Sequence, residues 1–184
     1  VTDASFPSLP TTSADILLRR CSLEDTEALF DAATESIDRM YPWLPWCHPG
    51  YTIEESRGWL AEQVVAFETH EAYSFGVIGR DGAYLGGCGL NRIDSVNRRA
   101  NLGYWVRSSA VGRGIASRAV KLIRDWAFSN TDLIRLEIVV AADNIASLRV
   151  AEKVGALREG ILRRRIFLHG VAHDAVLFAF TREP

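Results

Sequence analysis

The spacing of apolar residues changes several times along this chain, and each change marks an element. Ile16–Arg20 reads as a short first strand. Ser22 with Asp25 resembles a helix-opening capping box, in which Asp stands for the usual Glu. Leu29, Ala33, Ile37 and Met40 then recur at helical spacing and predict a buried stripe. Pro42, Pro45 and Pro49 rule out a regular helix over the next segment. Thr52-Ile53-Glu54-Glu55 is a full capping box, predicting a second helix to about Glu68.

Alternation then replaces helical spacing. Tyr73–Gly79 and Ala83–Asn91 flank Asp81-Gly82 and predict a hairpin, with Ala100–Val106 as the next strand. Ile115, Ala119, Leu122 and Trp126 form the apolar stripe of a helix to about Phe128. Leu133–Val140 reads as a strand. Asp143 or Asn144 caps a helix to about Val154 that Gly155 closes. Leu157–Leu168 and Asp174–Thr181 complete the pattern as two strands joined near Gly170. The order βαα, β-meander, β–α–β–α–ββ predicts one α/β domain, a mixed sheet flanked by helices, over 14–184. Residues 1–13, rich in Ser, Thr and Pro, predict a loose N-terminal arm.

The segment Val111-Gly112-Arg113-Gly114-Ile115-Ala116 lies between a strand and a helix. Its glycines permit a tight turn and close approach of a ligand, and the helix beyond offers unpaired N–H groups to an anion. It is not a P-loop, which needs Gly-Lys-Ser/Thr. It is not a dinucleotide fingerprint, which needs a third glycine where Ser117 stands. What remains is a cradle for a pyrophosphate that is held and not cleaved, which suits coenzyme A. Further on, Asn144 and Ser147 share a helix face, placing an amide and a hydroxyl near a polar ligand. The competing reading makes Asn144 a helix cap and Ser147 a surface serine.

Composition narrows the class. The 184 residues are 48% hydrophobic and 24% charged, with a net charge of −2. This suits a soluble domain and gives no electrostatic reason to expect nucleic acid or an anionic membrane as partner. No segment reads as a signal peptide or membrane span. Cys21, Cys47 and Cys88 have neither zinc nor disulfide spacing, so no metal is expected and a reduced, cytoplasmic setting is.

Together, Val111–Ala116, Leu102-Gly103-Tyr104-Trp105-Val106, Asn144-x-x-Ser147 and Ala151-Glu152-Lys153-Val154-Gly155 resemble the GNAT superfamily of N-acetyltransferases. The last three of these segments, with the Trp43-Leu44-Pro45-Trp46 loop and Arg158-Glu159-Gly160, resemble the branch that contains the Rim-type acetyltransferases, which modify N-termini of ribosomal proteins. The resemblance implies a mostly antiparallel sheet, splayed between the strand ending at Val106 and Leu133–Val140, with acetyl-CoA in the gap. Its pyrophosphate would rest on Val111, Gly112, Arg113, Gly114, Ile115 and Ala116. Its pantetheine would run beside Trp105, Val106 and Arg107, where a main-chain N–H would hold the acetyl carbonyl. Asn144 would meet the pantetheine and Ser147 the sulfur, with Trp43, Trp46 and His48 facing the acceptor. For assembly the resemblance implies a homodimer. Val111 departs from the usual Gln or Arg, and Ala151 from a thiolate-protonating tyrosine, which leaves Ser147 as the donor.

The base is less clearly marked. Glu137 lies on a strand opposite in facing to Leu136 and Ile138 and is a candidate to take the amine proton through water; equally, it reads as an ion pair with Arg135. His48 and Glu35 are second choices. An α-amine of pKa about 7.7–8.0 is roughly a tenth neutral at pH 7, whereas a lysine amine near 10.4 is far less so, a difference of about 3.5 kcal/mol. A weak base therefore leans towards an α-amine acceptor, with small-molecule amines and a non-catalytic acyl-CoA sensor as the alternatives.

Overall fold

The computed structural model describes residues 12–13 and 15–183; the arm predicted over 1–13 lies outside them apart from Thr12 and Ser13. Eight strands form one sheet: β1 (Thr12–Ser13), β2 (Ile16–Arg20), β3 (Tyr73–Gly79), β4 (Tyr84–Asp94), β5 (Arg99–Val106), β6 (Arg135–Ala141), β7 (Leu157–Leu168) and β8 (Val171–Thr181). Their spatial order is β1-β2-β3-β4-β5-β6-β8-β7. Every pairing is antiparallel except β5 with β6. The helices are α1 (Thr26–Thr34), α2 (Ile37–Met40), α3 (Ile53–Glu68), α4 (Ile115–Asn130) and α5 (Ile145–Lys153).

The helical stripes choose the layers. Ile115, Ala119, Val120 and Ile123 of α4 and Ala151 of α5 are buried against Leu102, Leu136, Ile138 and Phe178 on one face of the sheet. Leu29 and Ala32 of α1 and Leu60 of α3 pack with Ile78 and Tyr84 on the other, where Trp105 joins them. α4 and α5 thus cover one face of both parallel strands; on the other, β5 meets the α1 and α3 cluster through Trp105, while Arg135, Glu137 and Val139 of β6 are half-buried. Cys88 is a buried core residue, as its small size suits, and all three cysteines are free.

Several sequence expectations are met to the residue. The Thr52 capping box forms, with Glu55 N–H donating to Thr52 Oγ1 at 3.3 Å and Thr52 N–H to Glu55 Oε2 at 2.8 Å, and α3 ends at Glu68. Other bounds move. The helix expected from Ser22 begins as a short 3-10 turn and breaks after Thr34, where the buried Ser36 turns its Oγ back to Ala32 O at 2.7 Å. β4 runs on to Asp94, whose carboxylate accepts from Asn97 N–H at 2.9 Å and closes the hairpin into β5.

Candidate active site

β5 and β6 begin side by side and then part. Their pairing covers only Arg99 with Arg135, Ala100 with Leu136 and Asn101 with Glu137. Beyond it, Leu102–Val106 keeps β4 as its only strand neighbour, and Ile138–Ala141 keeps only β8. A gap therefore opens within the sheet, as the splayed fold requires. Arg107 N–H donates to Leu85 O at 2.9 Å. Hydrogen-bonding direction alternates along a strand, so Trp105 and Arg107 turn their N–H groups to β4, and Tyr104 and Val106 turn theirs to the gap. Of the three positions expected beside the pantetheine, Val106 is the one whose amide faces the gap. Gly86, opposite Val106 on β4, has φ +151, and a Cβ there would stand 2.2 Å from Trp105 O, so β4 admits only glycine where it backs this end of β5.

The loop from β5 to α4 sits at the mouth of the gap. Gly112 (φ +84) and Gly114 (φ +73) are both left-handed, the conformation their lack of Cβ allows. Gly114 is the N-cap of α4 and supplies no side-chain cap, so the first N–H groups of α4, including Ile115 and Ala116, stay available to an anion. Arg113 is exposed, and its carbonyl accepts from Arg118 Nη2 at 2.9 Å. The Val111 amide, expected to share in anion binding, is instead turned inward to Ser108 O at 3.3 Å because Ser108–Ala110 forms a 3-10 turn. The Val111 amide is thereby spent within the turn.

That turn is clasped from the other face of the sheet. The Glu35 carboxylate accepts from Arg107 Nε at 2.9 Å, from Arg107 Nη2, and from Ser109 N–H at 2.6 Å. These hydrogen bonds, Arg107's first, hold its pKa down at about 2. Ser36 Oγ accepts from Ser108 N–H at 3.0 Å. Glu35, read as a second-choice base, and Arg107, read as a cofactor contact, are thus partners in a clasp 72 residues apart in sequence, a separation no local pattern discloses.

Across the gap, Asn144 caps α5: its Oδ1 accepts from Ser147 N–H at 3.1 Å. Ser147 Oγ lies 2.9 Å from the Tyr104 hydroxyl, which also reaches Ser147 O at 3.1 Å. Tyr104 is largely buried, and burial pushes its pKa up to about 12. Tyr104 was not singled out from the sequence; it sits in the quoted Gly103-Tyr104-Trp105 run.

On the opposite face, Glu137 stands at the last paired position before the gap. Arg135 Nε donates to its Oε1 at 2.8 Å, and Arg99 Nη1 lies 3.5 Å away. Arg135 also grips Glu159, and hydrogen bonding from it lowers the Glu159 pKa. The geometry thus supports the ion-pair reading of Arg135 and Glu137. Trp46 is 39% exposed and meets Trp105 edge-on at 5.8 Å and Tyr51 at 5.6 Å. Trp43 is half-buried in the same loop. His48 braces this loop, its Nδ1 accepting from Gly50 N–H at 3.1 Å and its Nε2 lying 3.0 Å from Glu55 Oε1. The same loop is tied to the β7–β8 turn, where His169 Nε2 lies 2.8 Å from Tyr41 O. Asp174, read as a turn residue beside His173, accepts from Arg164 N–H at 2.8 Å and so holds the bulge that exposes Arg163, Arg164 and Arg165. Among the described residues no group of His, Cys, Asp and Glu could hold a metal ion.

Comparison with known proteins agrees with this architecture. Residues 15–157 match the family model of the acetyltransferase (GNAT) domain. The chain is 34% identical over 102 residues to the putative ribosomal N-acetyltransferase YdaF of Bacillus subtilis (strain 168), covering 55% of this chain and 56% of that protein. It is 33% identical over 137 residues to the ribosomal-protein-serine acetyltransferase of Escherichia coli (strain K12), covering 74% and 75%. The chain thus spans little more than half of the first relative's length and three quarters of the second's. Among solved structures, RimJ of Mycobacterium smegmatis, in complex with CoA-disulfide, superimposes with a TM-score of 0.82 at 26% identity over 90% of this chain and 81% of that one. The parted strands, the glycine cradle and the family match over 15–157 lead to one conclusion: the chain belongs to the GNAT acetyltransferases.

Proposed function

We propose that this protein transfers the acetyl group of acetyl-CoA directly to a primary amine, with the N-terminus of a protein or peptide as acceptor. The observation that carries this reading is the gap: β5 and β6 separate after Asn101 and Glu137, and the uncapped start of α4 stands at the mouth of the opening. The chemistry of the residues around the gap supports this reading. Gly112 through Ala116 offer main-chain N–H groups and no Cβ at the two turning points, which suits a pyrophosphate. Acetyl-CoA, when bound, supplies an acetyl group already activated as a thioester. Val106 N–H faces the gap and would polarise the acetyl carbonyl, a fixed dipole of the kind that stabilises developing negative charge on oxygen. Ser147 would offer its hydroxyl to the departing sulfur, while Asn144 fixes the turn that carries it. Trp105, Trp46 and Trp43 would border the acceptor, and His48 would hold their loop in place.

The amine must attack as a neutral group. It loses one proton as the nitrogen–carbon bond forms, and the sulfur gains one as the carbon–sulfur bond breaks. Glu137 already shares its carboxylate between Arg135 and Arg99, so an incoming ammonium would have to displace an ion pair to use it. The proton therefore goes to solvent. An α-amine tolerates this and a lysine does not, by the difference of about 3.5 kcal/mol in the cost of the neutral form. The Rim-type relatives act on ribosomal proteins by name, and a cytoplasmic location is proposed on the same ground; among the described residues no helix is long and apolar enough to cross a membrane.

The test is calorimetric titration with acetyl-CoA, followed by incubation with a panel of peptides bearing free or blocked N-termini and free or blocked lysines. Mass spectrometry should find a single acetyl group on the N-terminus. Failure to bind acetyl-CoA overturns the reading, and acetylation confined to lysine side chains overturns the α-amine acceptor.

A further inference from the structure

The Tyr104 hydroxyl lies within hydrogen-bonding distance of two oxygens of one residue on the other side of the gap, Ser147 O and Ser147 Oγ. Its partners are fixed by different elements. Tyr104 belongs to β5, beyond the last residue that pairs with β6, and Ser147 lies in the first turn of α5. Each end is held. The ring of Tyr104 packs against the main core, and Ser147 is restrained through its own N–H by Asn144 Oδ1 at 3.1 Å.

A donor count then separates two arrangements. Tyr104 has one hydroxyl proton, and Ser147 has one. Within α5, the N–H four residues on already serves Ser147 O. The tyrosine proton is therefore free to go to Ser147 Oγ without leaving that carbonyl unsatisfied. When it does, Oγ accepts from Tyr104 and must direct its own proton elsewhere, and the gap beside it is the open direction. In the opposite arrangement Ser147 donates to Tyr104, Tyr104 donates to Ser147 O, and no proton is left for a ligand. A negative charge in the gap selects the first arrangement, and the two aligned O–H groups then reinforce one another.

We infer that Tyr104 is a positioning residue: its hydroxyl directs the Ser147 proton into the gap and so stabilises a thiolate there. No proton changes owner in this step; Tyr104 donates a hydrogen bond to Ser147 and Ser147 donates one to sulfur. The inference rests on the acetyl-transfer reading but has a readout of its own. Free CoA carries the thiol that would occupy this place, and its ionisation on the protein can be followed by ultraviolet thiolate absorbance.

The experiment titrates CoA bound to the wild type, Tyr104→Phe, Ser147→Ala and the double variant. In the wild type the bound thiol should ionise at lower pH than in Tyr104→Phe, by about 0.5–1 unit, equivalent to a 3- to 10-fold change in the ionisation constant. Ser147→Ala should raise it at least as far, and the double variant should go no further than Ser147→Ala, because Tyr104 acts through that hydroxyl. In parallel, kcat should fall by a similar factor in Tyr104→Phe with acetyl-CoA affinity changed less than about twofold. Installing 4-aminophenylalanine at 104, which keeps the ring and restores an N–H donor, should recover much of the loss. A bound-thiol ionisation that is the same in wild type and Tyr104→Phe, additive effects in the double variant, or no recovery by the aminophenylalanine overturns the inference. The acetyl-transfer reading would survive those results, since it fails only if the wild type does not bind acetyl-CoA or acetylate an amine.

Discussion

Glu35 joins the helical layer on one face of the sheet to the turn that precedes the cradle. It accepts from Ser109 N–H and from two nitrogens of Arg107, which immediately follows β5. The carboxylate is ionised throughout the ordinary pH range, since its pKa falls from 4.5 to about 2 chiefly through the Arg107 hydrogen bond. A depressed carboxylate pKa stabilises the folded state above its unfolded value, and that stabilisation is lost as the pH falls through the folded value. The clasp should therefore contribute fully above about pH 4.5 and fade towards about pH 2. Glu35→Gln removes the titrating charge. Its urea midpoint should lie below that of the wild type at pH 7, and the two should converge as the pH drops through this window. Parallel curves would show that the clasp adds no stability. Because Ser108–Ala110 leads into Gly112, the acetyl-CoA dissociation constant of Glu35→Gln should also rise several-fold at pH 7, measured by calorimetry.

At the scale of elements, the start of α4 decides whether an anion can be held. Gly114 is both its N-cap and a left-handed residue, and a Cβ there would stand 3.4 Å from Arg118 Nη1. Gly114→Ala should destabilise the fold by about 1–2 kcal/mol, the cost of a left-handed non-glycine residue. It should also weaken acetyl-CoA binding by more than that stability loss alone would cause, since the turn must open to relieve the strain. Unchanged affinity by calorimetry would show that the cradle lies elsewhere. Such local devices were legible in the chain itself. The Thr52–Glu55 box, the Gly114 turn and the Gly155 stop depend on a few neighbouring residues, and each appears where the sequence places it. The break after Thr34 was not legible, because helical spacing continues through Ile37 and Met40 while a buried hydroxyl at Ser36 bends the backbone. The Tyr104–Ser147 contact spans 43 residues and the Glu35–Arg107 clasp 72, so neither follows a periodicity. Glu137 was legible as two alternatives, and the Arg135 hydrogen bond of 2.8 Å, with Arg99 approaching from β5, supports the ion pair.

For the whole molecule, the gap divides the sheet into two parts that share one core beneath α4 and α5. One part is β1 to β5 with α1, α2, α3 and α4; the other is β6, β8 and β7 with α5. Their strands pair only at the closed end of the gap, through Arg99–Asn101 and Arg135–Glu137. At the open end, the Tyr104–Ser147 hydrogen bond joins them on one face, and on the other face the His169–Tyr41 contact joins the β7–β8 turn to the aromatic loop. The latter contact combines a hydrogen bond of 2.8 Å with rings 4.3 Å apart. It bridges the side proposed for the acceptor and involves none of Gly112–Ala116, which follow β5. The two sides should therefore respond separately to its loss. His169→Ala removes both the hydrogen bond and the ring contact while leaving His169's left-handed backbone (φ 48) to be borne by alanine, so His169→Asn, which tolerates that conformation, is the control for backbone strain. In steady-state assays the KM for a peptide acceptor should rise about threefold to tenfold in both variants, and the acetyl-CoA dissociation constant should stay within about twofold of the wild type, since interactions this far apart are close to independent. Hydrogen exchange should report faster opening at the β7–β8 turn and around Tyr41 and no change at Gly112–Ala116. Equal losses of acceptor and acetyl-CoA binding would mean that the two parts move as a single rigid body and that the His169 contact governs the width of the whole gap.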